Sequence, residues 1–159
     1  MSFSLEKYKK LRQEVEENYR QIGSLPCPAL KADVFFSAVG LHHLRYDNTG
    51  SERSKTSQYN KFRFFEDAVK AIKISTTIQE YRRSICPAGN PDKSGFRKTT
   101  TVEWFAFWHV ISFSKGIRIR AIIRRSGGDG CQFHFWSVMP YWTLSNGQRI
   151  IGAKDIEDR

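Results

Sequence analysis

The sequence predicts an α+β domain, with two helices at residues 5–22 and 57–74 packed on a three- to four-stranded antiparallel β-meander at residues 101–140. Three observations carry this prediction. Apolar residues recur at three-and-four spacing over the two helical stretches, as they do along one face of an amphipathic helix. From Thr101 to Pro140 the pattern changes to aromatic and β-branched runs separated by SKG and SGGDG, both turn-forming segments. The chain has 159 residues, enough for one two-layer core and short for two. Residues 1–159 are therefore read as a single domain, with a tail at 141–159.

In the first helix Leu5, Tyr8, Leu11, Val15, Tyr19 and Ile22 form the apolar stripe, and Gly23 supplies a stop. Pro26 and Pro28 mark the stretch from Ser24 to Lys31 as a connector without regular structure. Val34, Phe35 and Phe36 form a short strand ending at Gly40, and a basic loop follows with His42, His43, Arg45, Arg53 and Lys55. Ser57 is the expected N-cap of the second helix, whose buried stripe is Phe62, Phe65, Val69 and Ile72, with Lys61 on another face. Thr76 to Arg82 is a weak strand, and Cys86 to Lys98 reads as a long surface loop. The meander strands are TVEWFAFWHVISF, GIRIRAIIRR and QFHFWSVMP. Beyond them Trp142 and Leu144 can cover apolar surface, Asn146-Gly147 makes a turn, and the last residues fray.

Composition narrows the function. Twenty-six Lys and Arg against sixteen Asp and Glu give a formal charge of +10, a field that attracts polyanions. Cys27, Cys86 and Cys131 are odd in number and far apart, which argues against a disulfide framework or a structural zinc site. No apolar leader or membrane-length apolar run is present, so no membrane partner and a cytoplasmic location are expected. With no nucleophile elbow, phosphate-binding glycine loop or metal-ligand spacing, neither a cofactor nor a metal is expected.

The strongest constellation is the second meander strand. Residues two apart on a strand share a face, so Arg118, Arg120 and Arg124 project together. Only Glu103 and Asp129 lie between Thr101 and Pro140 to offset them, and a guanidinium fork matches phosphate oxygens in pairs. A solvated sheet face with arginine stems covering apolar surface is the competing explanation. Of His42 and His43 one side chain faces a site, and histidine suits proton transfer near neutrality. His134 projects from the third strand toward Arg120, and Ser137, if it shares that face, can bond a phosphate oxygen.

The order of parts, with GLHHLRY, an arginine-bearing loop through Arg53, then IRIRAIIRR and HFWSVM, resembles the barnase/EndoU/colicin/RelE-type nuclease superfamily, and more narrowly its small phage and mobile-element toxins. The resemblance covers roughly Val34 to Pro140. It implies a metal-independent endoribonuclease of toxin type, acting on tRNA or mRNA and forming a 2′,3′-cyclic phosphate. An acidic neutralising protein would then be a natural partner. It matches His43, Arg120, Arg124 and Ser137 to catalytic positions and Arg53 to a recurring arginine, with Arg45, Arg53, Lys55, Arg118 and His134 as substrate-binding candidates. Two other classes stay open. One is a nucleic-acid-binding module without catalysis, and the other is an interaction domain using the helix at 5–22.

Overall fold

Helix α1 (Leu5–Ile22) buries Tyr8, Val15 and Tyr19 along one stripe, and Gly23, with φ of 67°, ends it in a conformation that side chains disfavour. The computed structural model describes residues 3–143, 146, 149–151 and 156. The stretch expected as a connector instead contains β1 (Ser24–Cys27), which forms a hairpin with β2 (Ala32–Phe35), the short strand expected around Val34 and Phe35, with Ser24 opposite Phe35. Pro26 is tolerated because β1 lies at the sheet edge, where a missing N–H removes no ladder bond on the open side.

Helix α2 (Ala38–His43) replaces the start of the basic loop expected around the histidine pair. Successive helical residues diverge by roughly 100°, which leaves His42 exposed and His43 buried. The single helix expected at 57–74 is two, α3 (Lys55–Arg63) and α4 (Phe65–Ile74), and its N-cap is Ser54, whose hydroxyl accepts from Ser57 N at 3.2 Å. The break at Phe64 lets both Phe64 and Phe65 reach the core, which adjacent residues of a straight helix do not readily do.

Strand β3 (Glu80–Ala88) is longer than the sequence pattern indicated and takes in part of the expected loop. Strands β4 (Lys98–Ser112), β5 (Ile117–Ser126) and β6 (Phe133–Thr143) form the anticipated antiparallel meander. The complete sheet is mixed and larger than expected, in the order β1-β2-β6-β5-β4-β3, with β2 parallel to β6 and β7 (Arg149–Ile151) also paired to β6. The expected turn at Asn146-Gly147 and the frayed end lie largely outside the described residues, as does Leu144.

The alternation of β5 divides the interior in two. Ile119, Ala121 and Ile123 face the helices and join Phe105, Phe107, Phe135 and Tyr19 in the main core. Ile122 joins Val102, Trp104, Trp136, Met139 and Ile156 in a second apolar cluster on the other face. That face was expected to be the wetter one. It is apolar because tryptophans of β4 and β6 lie across from the arginines. Among the described residues no helix is long and apolar enough to cross a membrane.

Candidate functional site at the α2–β6 cleft

Gly40 sets the geometry of the site. A Cβ there would stand 2.5 Å from the Tyr19 hydroxyl and inside van der Waals contact with the Phe135 carbonyl oxygen, so only glycine lets α2 lie this close to β6. The second determinant is a bulge. Ile123 pairs with Phe135 and Ile122 with Ser137, which leaves Trp136 as the extra residue of β6. Bulges commonly re-aim a side chain in this way.

Trp136 is the neighbour shared by two of the expected site residues. The His43 ring stacks on it with centroids 4.0 Å apart, and the Arg124 guanidinium carbon lies 4.6 Å from the ring. Beside them α2 and β6 enclose a cavity of about 270 Å³ lined by Ser37, Val39, Gly40, Arg124, His134 and Trp136 among others. Arg124 and His134 are directly paired across β5 and β6. Among the described residues no carboxylate bridges Arg124, and burial lowers its pKa. The His134 pKa is also lowered, first by burial and then by the Arg124 charge, so its imidazole is neutral near pH 7. Among the described residues its Nδ1 is buried without a hydrogen-bond partner.

His43 is near the cavity without lining it. Only 3% exposed, it is held by Arg53, whose Nε donates to the His43 carbonyl at 3.2 Å and whose Nη2 lies 3.2 Å from His43 Nε2. Since a guanidinium only donates, Nε2 is the acceptor in this contact. Ser137 is fully buried and accepts from Lys61 Nζ at 2.9 Å, while the same ammonium donates to the Val138 carbonyl at 3.2 Å. Lys61, expected on an outer face of its helix, is therefore buried at the edge of β6, where it satisfies strand oxygens. No signal in the local sequence distinguishes it from a solvated lysine.

The other expected residues form separate groups. Arg120 is 5% exposed and bound to Glu80 at 2.8 Å, and it shares the Trp108 and Tyr141 rings with exposed Arg118. His134 pairs with Arg124 rather than approaching Arg120. Arg45 and Lys55 meet at Glu52, with distances of 3.6 and 2.6 Å. That carboxyl is held down to about 2, chiefly by the Lys55 hydrogen bond. Glu103 and Asp129, the only carboxylates near the arginines in sequence, are both taken by Arg125. Among the described residues no three His, Cys, Asp or Glu side chains gather as a metal site requires.

Comparison of the chain with protein-family models, with curated proteins and with solved structures gives no match.

Proposed function

We propose that the chain is a metal-independent endoribonuclease that cleaves in the α2–β6 cleft. The observation that carries this reading is the pairing, within one cavity, of a half-buried guanidinium lacking a carboxylate with a histidine kept neutral beside it. Arg124 offers two terminal nitrogens to a phosphate, and its charge acts more strongly in a partly desolvated cleft than in water. His134 Nε2 takes the proton from a ribose 2′-hydroxyl, whose oxygen attacks the adjacent phosphorus. Arg124 stabilises the added negative charge of the five-coordinate state. The 5′-oxygen then departs with a proton from solvent, leaving a 2′,3′-cyclic phosphate.

In this reading His134, which lines the cavity, takes the base role, and His43 acts as a positioning residue through Trp136. Arg53 fixes His43, and Lys61 fixes Ser137 at the edge of the same strand. Arg120, closed off by Glu80, contributes to the sheet face rather than to the reacting phosphate. The α+β layering, with helices preceding an antiparallel meander, is compatible with the likeness to barnase-type nucleases. The net charge of +10 supports a polyanionic substrate and would serve an acidic neutralising protein equally.

Incubation with labelled RNA in excess EDTA tests the proposal. Wild-type protein should cleave, and Arg124→Ala and His134→Ala should each lose at least about a hundredfold in rate, the usual scale for a charge-stabilising or proton-transfer group. Salt-dependent binding without product would instead favour a nucleic-acid-binding module, with Arg118 and Arg124 set among the aromatic rings of the sheet face.

A further inference from the structure

Helix α2 separates the Arg124 cleft from a second concavity. Val39 and Gly40 line the first, while Ala38, Leu41 and His42 turn to the other side. The second concavity, about 250 Å³ in volume, lies against α1 and is lined by Arg12, Glu16, Arg20, His42, Arg45 and Tyr46 among others. Three guanidiniums there face one lining carboxylate. Glu16 is committed to Arg12 at 2.8 Å and reaches Arg20 only at 3.8 Å. Arg45 has Glu52 at 3.6 Å, but that carboxylate is bound more closely by Lys55 at 2.6 Å. Among the described residues Arg45 Nε is buried without an acceptor. Positive charge at Arg20 and Arg45 is thus only partly compensated.

The concavity also holds a stacking surface. The His42 and Tyr46 rings lie 4.3 Å apart and within 10° of parallel, and the Arg45 guanidinium carbon sits 5.2 Å from the Tyr46 centroid. His42 is exposed, so the stack presents an imidazole face to solvent. A planar stacking surface beside excess guanidinium charge fits an unpaired base with its phosphate, because stacking requires a base that is not already enclosed in a helix.

We propose that this concavity is a second nucleotide subsite, taking a base on His42 and a phosphate on Arg20 and Arg45, so that one single-stranded RNA crosses α2 between the two cavities. The inference rests on the nuclease reading for the occupant of the first cavity. The six residues of α2 span about 9 Å, a length that a strand of a few nucleotides bridges. The substrate class is therefore single-stranded RNA longer than a dinucleotide.

The probe is a fluorescein-labelled RNA octamer, fully 2′-O-methylated so that it cannot be cut, titrated by anisotropy against a dinucleotide and a duplex of the same sequence. The single-stranded octamer should bind at least about tenfold tighter than either. Arg20→Ala/Arg45→Ala should weaken octamer binding roughly tenfold and flatten the logarithmic salt slope by about 0.7, one phosphate at single-strand weight. Arg20→Lys/Arg45→Lys should keep most of the affinity, which separates loss of charge from misfolding. His42→Ala should weaken the octamer about fivefold or more, the lower end of base stacking. Lys93→Ala, in the exposed loop between β3 and β4 and lining neither cavity, should change nothing.

Unchanged octamer affinity in the double alanine variant overturns the subsite, as does equal binding of the duplex. Full displacement of the octamer by polyglutamate at equal charge concentration also overturns it, pointing to an acidic protein instead. Cleavage of unmodified RNA without this binding pattern leaves the nuclease reading standing and removes the subsite. The binding pattern without cleavage does the reverse.

Discussion

Replacing Gly40 by alanine sets two effects of opposite sign against each other. Glycine within a helix costs roughly 0.5–1 kcal/mol relative to alanine, so propensity alone predicts that Gly40→Ala stabilises. The packing predicts the contrary. The new Cβ would collide with the Phe135 carbonyl oxygen, which is fixed in β6, and with the Tyr19 hydroxyl, which donates to the Ser37 carbonyl at 2.6 Å. Overpacking of this kind costs about 1–3 kcal/mol, and loss of the tyrosine bond adds about 1. The net expectation is a loss of about 1–3 kcal/mol, or a fall of several degrees in Tm for a chain of this size, about 2–4 °C per kcal/mol. Urea denaturation followed by tryptophan fluorescence measures it. Tyr19→Phe in the Gly40→Ala background removes one of the two obstacles and should recover part of the loss caused by Gly40→Ala. A Gly40→Ala protein as stable as wild type, or more stable, would refute the close-approach argument and with it the placement of His43 against Trp136.

Other perturbations probe the groups around the cleft. Lys61→Ala removes the donor to Ser137 and Val138 and should cost at least about 2 kcal/mol by denaturation, since bonds from a charged group carry about 1.5–3. Glu80→Ala removes the carboxylate that pairs with buried Arg120. Because Glu80 is itself partly exposed, the cost should be about 2 kcal/mol rather than the 3–5 of a fully buried pair, and Glu80→Ala/Arg120→Met should restore some of it. The folded-state pKa of His134 lies below its unfolded value, so the unfolded chain binds the proton more readily as pH falls through the ordinary 6.5. The His134 contribution should therefore be neutral above that value and progressively destabilising below it. NMR titration should place His134 below 6.5, and Arg124→Ala should move it upward. A downward or absent response would show that the two side chains do not sense each other.

The meander was legible because its information is local. Ile117, Ile119, Ala121 and Ile123 alternate with Arg118, Arg120 and Arg124, and period two fixes a strand whatever packs on it. What covers the arginine face was not legible, since Trp104 and Trp136 arrive from neighbouring strands and build a second apolar cluster on an apparently wet surface, while Trp108 covers Arg118 and Arg120. The parallel pairing of Val34 with Phe133 joins residues far apart in sequence, so the fuller sheet could not be read from patterns. Helix α2 escaped for a related reason, because six residues including a glycine form a helix here through contact with β6 rather than through propensity. In the candidate site Arg124 lines the cleft opposite His134, whereas Ser137 lies opposite Ile122 and accepts from Lys61. The importance of Trp136 depended on a bulge, and the burial of Lys61 on the stretch of β6 between its β2 and β7 pairings, neither of which leaves a local signature.

The most direct test of the central claim is mass spectrometry of the products from a single-stranded RNA oligonucleotide incubated with the protein in EDTA, beside the same oligonucleotide carrying one 2′-deoxy substitution at the cut position. The account predicts fragments ending in a 2′,3′-cyclic phosphate from the all-ribo strand, no cut at the substituted position, and no products with Arg124→Ala. Cleavage that persists at the 2′-deoxy position, or that survives Arg124→Ala undiminished, would contradict it.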